Sequence, residues 1–298
     1  DYKSVGSIFK TALGILAAIY KFVFTVKIIN SITIDPSEDT YVCGPDQEYI
    51  YGVFSQLLCN RGARFIEMES MQEPFIIQQK SYPYYTRPTI KAYPCEHDKN
   101  TLDSLIENYF HDRVTAPWKI YQDIDFLKDV KLKPPPLFTR HSSNLTVVIY
   151  LHSFTDAQYV YGHDGYSDLE DWTTSSVKAL YSNPKVGTII IKPHPGIDPD
   201  YHPGDVIANR RLRKSLSHYS DKTIWADYHF NTQQLAKIGK CLAITHHGSV
   251  AEEASYLGIP LIASAYGPWG SDYSFGYFWN DREKYEALLR TLDVKELA

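Results

Sequence analysis

The feature that most constrains how this chain can fold is an alternation of short hydrophobic runs with helix-length segments in its second half. The first run, at 145–151, is a continuous apolar strand, which is typical of a strand buried on both faces of a parallel sheet. Further strands are predicted at 187–192, 241–245 and 260–264, and helices at 168–181, 231–239 and 249–257. Because parallel strands that alternate with helices build a doubly wound sheet, this half is predicted to form a Rossmann-like α/β domain.

A shorter pattern of the same kind occurs in the first half. A strand that runs into a Gly-Pro turn at 40–46, a helix at 47–60 and a strand at 63–67 together predict a βαβ unit. Residues 71–99 lack clear periodicity and are interpreted as a long connecting or substrate-facing segment. A further helix is expected at 101–112, where apolar residues recur on one face.

A proline-rich stretch separates the two halves. The sequence Lys-Leu-Lys-Pro-Pro-Pro-Leu at 131–137 cannot sit inside a helix or a central strand. We therefore predict an N-terminal domain at 1–137 and a C-terminal domain at 138–298. Two Rossmann-like domains in tandem are expected to face each other across a cleft, where ligands bind in this architecture.

Composition narrows the classes of function. The chain has 298 residues, of which 44% are hydrophobic and 22% charged, and 30 Lys and Arg against 35 Asp and Glu give a net charge of −5. These values exclude a disordered tail, a collagen and a strongly basic nucleic-acid-binding protein. The four cysteines are far apart and form no Cys-x-x-Cys pair, so no metal site is expected and a reducing, cytoplasmic compartment fits best. The chain begins with Asp rather than Met, which we interpret as a segment of a longer, multidomain polypeptide.

The most apolar stretch, at 8–30, raises the question of membrane contact. Lys10, Lys21 and Lys27 interrupt it before the ~20 uncharged residues that a membrane span requires, so a transmembrane helix is not expected. In a helix, Lys3, Lys10 and Lys21 fall within about 20° of each other, which gives a narrow basic stripe and a broad apolar remainder. We favour packing of this amphipathic helix on its own domain. The alternative is an interfacial helix that rests peripherally on an anionic membrane.

The strongest motif for chemistry lies at 245–260, where a strand passes through a Gly-Ser turn into a short helix. Gly248 permits a tight turn and a close approach by a ligand. The amides of Ser249, Val250 and Ala251 are expected to point outward from the helix N-terminus, where they would bind a phosphate.

Two glutamates follow one turn into the same helix. Glu252 and Glu253 are candidates to accept hydrogen bonds from ribose hydroxyls, and Glu253 lies nearer the Ser249 face because the spacing is four. The alternative is that Ser249 caps the helix and that both glutamates are solvated.

Two further loops carry candidate catalytic groups. The strand at 187–192 ends in Lys192-Pro-His-Pro, whose prolines fix the backbone around His194. The imidazole of His194 can donate to a phosphate or protonate a leaving oxygen, and Lys192 adds a point charge; the alternative is an ordinary surface turn. Asp164, beside Gly165, is a candidate general base, or else part of an Asx-type turn before a helix. Residues that directly follow the first strand are also expected to face the cleft, namely His152, Ser153 and Asp156.

Three segments, HDGYSDLEDW, NPKVGTIIIKPHP and HHGSVAEEASYLGIPLI, resemble the C-terminal half of bacterial capsule and lipopolysaccharide glycosyltransferases with the two-domain GT-B fold. The likeness covers about half of the chain. It implies that His194 contacts a nucleotide phosphate and that Asp164 deprotonates the acceptor, with His163 standing where that family's motif has an acid. The residues expected to bind a nucleotide sugar are Lys192, His246, His247, Gly248, Ser249, Val250, Glu252 and Glu253.

The sequence therefore predicts a two-domain α/β glycosyltransferase that moves a sugar from a nucleotide-sugar donor to a saccharide acceptor in surface glycan synthesis. The reaction is expected to be independent of metal ions and of any cofactor besides the donor substrate, and no nucleic-acid partner is expected. Two alternatives remain open. One is a nucleotide-sugar epimerase or hydrolase of the same fold, and the other is a non-catalytic carbohydrate-binding domain of a larger protein.

Overall fold

The computed structural model describes residues 2–34, 41–44, 57–69, 75–79, 98–115, 144–154, 165–194, 203–226, 230–237, 239–267 and 274–293. The chain divides into two compact units, Asp1–Thr89 and Ile90–Ala298. The predicted domain boundary at 137 lies outside the described residues.

The described part of the first unit contains one long helix, three helical residues at 57–59 and a small sheet. The helix is α1 (Tyr2–Ser31), and the strands are β1 (Tyr41–Gly44), β2 (Arg64–Glu69) and β3 (Phe75–Gln79). β1 and β2 pair in parallel, as the predicted βαβ unit requires, whereas β3 pairs antiparallel with β2. The interpretation of 71–99 as a connecting segment therefore missed a strand, and the described part of this sheet is mixed rather than purely parallel.

The second unit is built on a six-stranded sheet in which every neighbouring pair of strands is parallel. The strands are β4 (Leu145–Tyr150), β5 (Val186–Lys192), β6 (Thr223–Trp225), β7 (Cys241–Thr245), β8 (Leu261–Ser264) and β9 (Tyr277–Trp279). The helices are α2 (Lys99–Thr115), α3 (Leu169–Tyr181), α4 (Pro203–Ser215), α5 (Thr232–Ala236), α6 (Val250–Tyr256) and α7 (Arg282–Thr291), with a 3-10 turn at Ser217–Tyr219.

The order of these strands determines where a ligand can bind. The order is β6-β5-β4-β7-β8-β9, which becomes 3-2-1-4-5-6 when the strands are numbered from β4, and this is compatible with a Rossmann-like fold. The direction in which successive strands are added reverses between β4 and β7. In open α/β sheets ligands bind outside the carboxyl ends of the strands at such a reversal.

The predicted burial of the first strand on both faces is confirmed. All six residues of β4 are buried, with Val147 and Ile149 in one apolar cluster and Val148 and Tyr150 in the other. A strand that lies at the centre of a sheet and is covered on both faces needs apolar residues at every position, because neither face meets water.

Most predicted elements of the second unit are confirmed, with some omissions. Each predicted strand and helix between 145 and 264 has its counterpart in the structure, whereas β6, β9, α4 and α7 were not predicted. Helix α2 belongs to the second unit and contacts α5 and α6, although the sequence analysis assigned it to the N-terminal domain.

Helix α1 differs from the favoured expectation that it packs on its own domain. Between Ala12 and Ile28 its side chains are exposed or partly exposed among the described residues, and Ile29 is the position that is buried. Ile29 packs against Leu58, Cys59 and Ala63. By length and composition, the stretch Ala12–Ser31 could also cross a membrane, which the lysine spacing had argued against.

Candidate functional site

Four histidines lie beyond the carboxyl ends of three adjacent strands: His152 after β4, His194 after β5, and His246 and His247 after β7. We call these four residues the histidine cluster. The ring centroid of His152 lies 4.1 Å from that of His247 and 5.4 Å from that of His194. The cluster therefore occupies the reversal of strand order between β4 and β7, where this type of sheet binds ligands.

His246 and His247 form a directly bonded pair. Their Nδ1 atoms are 2.7 Å apart, so one ring donates an N–H and the other accepts the hydrogen bond through its unprotonated nitrogen. The ring of His246 meets the rings of Trp172 and Trp279 edge-on, at centroid distances of 5.5 and 5.8 Å. Because the two buried tryptophans fix His246, its hydrogen bond can in turn fix the orientation of His247. The structure thus places His246 in the core and gives it the contacts of a positioning residue.

The environment of the histidine cluster keeps His247 neutral near physiological pH. Burial holds the pKa of His247 well below its usual value, and the charges that His152, His246 and His194 can carry lower it further. Among the described residues, no three His, Cys, Asp or Glu side chains are arranged to share a metal ion. A bound anion would favour protonation of His247, since it offsets the repulsion from neighbouring imidazolium rings.

Lys192 lies at the same carboxyl end of the sheet as the histidine cluster. It is the last residue of β5 and is buried, and its ammonium donates a hydrogen bond to the carbonyl of Pro193 at 3.2 Å. The Nζ atom also lies 6.0 Å from the ring centroid of Tyr150. The predicted positive charge is therefore buried at the carboxyl end of β5, where the ammonium is folded back onto the Pro193 carbonyl rather than extended into solvent.

Local packing explains why position 248, in the turn after β7, is a glycine. The amide of Gly248 donates to the hydroxyl of Thr245 at 3.2 Å, and a Cβ at this position would lie 2.8 Å from the same oxygen. Ser249 is exposed and stands at the N-cap position of α6, but its side chain makes no capping hydrogen bond, so this part of the alternative is wrong. The amide of Ala251 donates to the carbonyl of Gly248 at 3.0 Å, which corrects the expectation that it points outward to a phosphate. Val250 opens α6, a helix of only seven residues.

The two glutamates of α6 are bound by an arginine that the sequence analysis did not single out. Arg113 of α2, with a side chain 4% exposed, contacts Glu253 through Nε at 3.2 Å and Glu252 through Nη1 at 3.3 Å. The hydroxyl of Thr232 donates to the second oxygen of Glu253 at 3.0 Å, and Arg113 Nη2 donates to the carbonyl of Ser249 at 3.3 Å. Both oxygens of Glu253 are thus engaged in attaching α2 and α5 to α6. Ribose binding by these glutamates stays a prediction.

The candidate base Asp164 lies outside the described residues, but the residues that follow it are fixed. Gly165 has a positive φ of +93°, a region that favours glycine, and its carbonyl accepts a hydrogen bond from Arg282 Nη1 at 2.9 Å. Arg282 also pairs with Asp171 at 3.2 Å, and Asp168 caps α3 by accepting from the amide of Asp171. The described segment that directly follows Asp164 in the sequence is therefore attached to both α3 and α7.

Sequence reasoning missed one buried carboxylate near the site. Asp205, in the first turn of α4, is buried and accepts a hydrogen bond from the amide of Phe154 at 2.8 Å. This bond fixes the segment after β4 at Phe154, which is two residues beyond His152 in the sequence. The signal in the sequence was Pro203-Gly-Asp205, because Pro at the start of a helix followed by an acid in its first turn is a common N-terminal pattern.

Comparison with known proteins identifies no family for this chain. The chain matches no protein-family model, and a search of curated proteins found no match. The function is therefore argued from the chemistry of the histidine cluster and its position in the sheet.

Proposed function

We propose that this protein is a glycosyltransferase that transfers a sugar from a nucleotide-sugar donor to a saccharide acceptor, with the donor phosphates bound at the histidine cluster. The observation that carries the proposal is the convergence of His152, His194 and His247 at the strand-order reversal of a parallel sheet. A nucleotide phosphate is the anion for which this position in an α/β sheet is most often used.

The chemistry of the site suits a phosphate that gains charge during a reaction. The imidazole of His247, neutral before binding, gains an N–H on its second nitrogen once protonated, and hydrogen bonds between charged partners are the strong ones. Lys192 adds a fixed positive charge at the end of β5. Groups held in place before the reaction stabilise the departing phosphate without a cost of reorganisation.

In the proposed reaction, a hydroxyl oxygen of the acceptor forms a bond with the anomeric carbon of the donor sugar. The bond from that carbon to the donor phosphate breaks, and its electron pair stays on the phosphate oxygen, where His194 donates a hydrogen bond. The hydroxyl proton passes to Asp164, as the resemblance to surface-carbohydrate glycosyltransferases implies. Base catalysis of this kind contributes about 10²–10⁴ in rate.

The proposal includes a GT-B architecture, in which the second unit binds the donor and an N-terminal Rossmann-like domain binds the acceptor. The parallel β1–β2 pair of the first unit and the 3-2-1-4-5-6 sheet of the second support it. The positive charge that the leaving group requires comes from histidine and lysine in this scheme, so transfer is proposed to be independent of metal ions.

Nucleotide binding provides the first test. Thermal shift with UDP, GDP, CMP and dTDP should identify one base, since a ligand at 100 times its Kd stabilises the folded state by about 2.7 kcal/mol. His194→Ala is expected to weaken that nucleotide by roughly 10- to 100-fold, because hydrogen bonds to charged groups contribute about 1.5–3 kcal/mol. His218→Ala, an exposed histidine on the 3-10 turn, is the matched control and should bind normally. If no nucleotide shifts the melting temperature, the non-catalytic alternative is favoured.

Turnover provides the second test. Asp164→Asn should retain nucleotide binding and lose transfer, and near-normal transfer by this variant would reject Asp164 as the base. Donor incubated without acceptor should be hydrolysed only slowly. Rapid release of an altered or free sugar would instead support the epimerase or hydrolase alternative.

A further inference from the structure

Helix α1 carries most of the exposed apolar surface that the structure describes. Nine of the 13 large hydrophobic side chains that are exposed among the described residues belong to it. They are Leu13, Ile15, Leu16, Ile19, Tyr20, Phe22, Val23, Phe24 and Ile28. Contiguous apolar surface of this kind marks an interaction site, because soluble proteins seldom leave it in water.

The charges of α1 indicate what covers this surface. The segment Tyr2–Ser31 contains four lysines and no aspartate or glutamate, so its formal charge is +4 in a chain whose net charge is −5. A second copy of the helix would bring four more positive charges against the first four. An anionic lipid surface instead complements both the charge and the apolar residues.

The position of the lysines decides how the helix meets the bilayer. Ala12–Ser31 has 20 residues, about 30 Å of helix, which equals the thickness of the hydrocarbon core. A spanning helix would hold Lys21 at the middle of the bilayer, where a charge is costly. In a helix that lies along the surface, positions 10 and 21 fall within about 20° of each other, so one side of the helix with both positions can face the headgroups.

The end of α1 is fixed to the first unit. Ile29 is buried among Leu58, Cys59 and Ala63, and the guanidinium of Arg61 donates hydrogen bonds to the carbonyls of Ile29 and Ile32. Lys27, about 120° around the helix from Lys21, lies two residues before Ile29 in this attachment, and its flexible stem lets the ammonium reach water.

We propose that α1 is an interfacial anchor, which lies along an anionic bilayer with its lysine stripe at the headgroups and its apolar side in the acyl region. The proposal is independent of the function proposed above. The anchor would hold the first unit at the membrane surface through the contacts of Ile29 and Arg61.

Vesicle flotation of the full chain tests the proposal. Vesicles of phosphatidylcholine with 30% phosphatidylserine should bind the protein, whereas phosphatidylcholine alone should bind it far more weakly, and raised salt should release it. Lys10→Gln with Lys21→Gln should weaken binding to anionic vesicles by about 30-fold, since each lysine near such a surface contributes about fivefold. Lys214→Gln with Lys237→Gln removes the same charge from exposed sites in the second unit and should leave binding unchanged.

A second variant tests the apolar side. Leu16→Ser with Ile19→Ser and Val23→Ser should reduce binding to both kinds of vesicle, with an unchanged melting temperature because all three side chains are exposed. Absence of flotation with either vesicle would overturn the proposal. So would equal binding to both vesicles that resists alkaline carbonate extraction, since that behaviour indicates a spanning helix.

Discussion

Strand β4 and helix α1 are both apolar segments, yet the structure buries one completely and leaves the other exposed. β4 lies between β5 and β7 with all six residues buried, whereas α1 is exposed along most of the stretch Ala12–Ser31. The difference follows from backbone hydrogen bonding. A strand bonds only to other strands and must enter a sheet, while a helix satisfies its own amides and can present apolar side chains to lipid. Hydrophobicity alone therefore predicts that a segment is transferred out of water, but not whether it packs in a protein core or against lipid.

The largest expected effect comes from a matched pair of leucines. Leu180 in α3 is 0% exposed and Leu16 in α1 is 62% exposed. Leu180→Ala should lower the free energy of unfolding by about 2–5 kcal/mol, because it removes packing and leaves a cavity. Leu16→Ala should change it by less than about 0.5 kcal/mol. Urea denaturation measures both, and equal losses would show that α1 packs on the protein.

Helix α2 extends the comparison with α1, because an ion-pair network attaches α2 to helix α6 of the same unit. Arg113→Ala should destabilise this unit by about 1–3 kcal/mol, since Glu252 and Glu253 lose their shared partner. Arg290→Ala removes a half-exposed partner of Glu286 on α7. It should lower the free energy of unfolding by less than about 1 kcal/mol. Thermal unfolding followed by circular dichroism compares the variants. If the two losses are equal, Arg113 is not the attachment of α2.

Mild acid should affect the two regions differently, since the second unit contains the histidine cluster whereas the charged side chains of α1 are all lysines, which stay protonated. Folding holds the pKa of His247 below its unfolded value, so the unfolded chain takes up a proton first as the pH falls below about 6.5. Stability should therefore be greatest above that pH and decline by at most about 1.4 kcal/mol per pH unit below it. Denaturation at pH 7.5, 6.5 and 5.5 gives the slope. His247→Gln should flatten it, and an unchanged slope would assign the effect to other groups.

The smallest effect concerns helix caps in the sheet unit. Asp168 accepts a hydrogen bond from the amide of Asp171 at 2.8 Å, whereas Ser249 makes no such bond at the start of α6. Asp168→Ala should lower the free energy of unfolding by about 1 kcal/mol, whereas Ser249→Ala should leave it almost unchanged. Melting temperatures of the two variants distinguish them, and a large loss for Ser249→Ala would mean that its hydroxyl has a structural partner.

Sequence patterns predicted the core of the second unit well, because buried strands and the helices between them have distinct periodicities. They failed for β6 and β9, which have three residues each and are too short to show a period. They also misassigned α2, whose place depends on Arg113 and two glutamates that lie 140 residues or so further along the chain.

The candidate site was predicted in part. His194, His246 and His247 were identified as binding residues, and the structure brings the first and third to either side of His152. The bond between His246 and His247 was not predicted, nor was the engagement of Glu253 by Arg113 and Thr232. Each depends on side-chain geometry across elements that are distant in sequence.

The sequence by itself determined that 145–264 forms parallel strands with helices between them, since local periodicity and glycine or proline punctuation specify such elements. Only the tertiary structure decided that β4 lies between β5 and β7, and hence that three loops bring four histidines together. It also decided that α1 remains exposed while β4 is enclosed. Strand order and helix docking depend on long-range complementarity of whole faces, which no local window of residues contains.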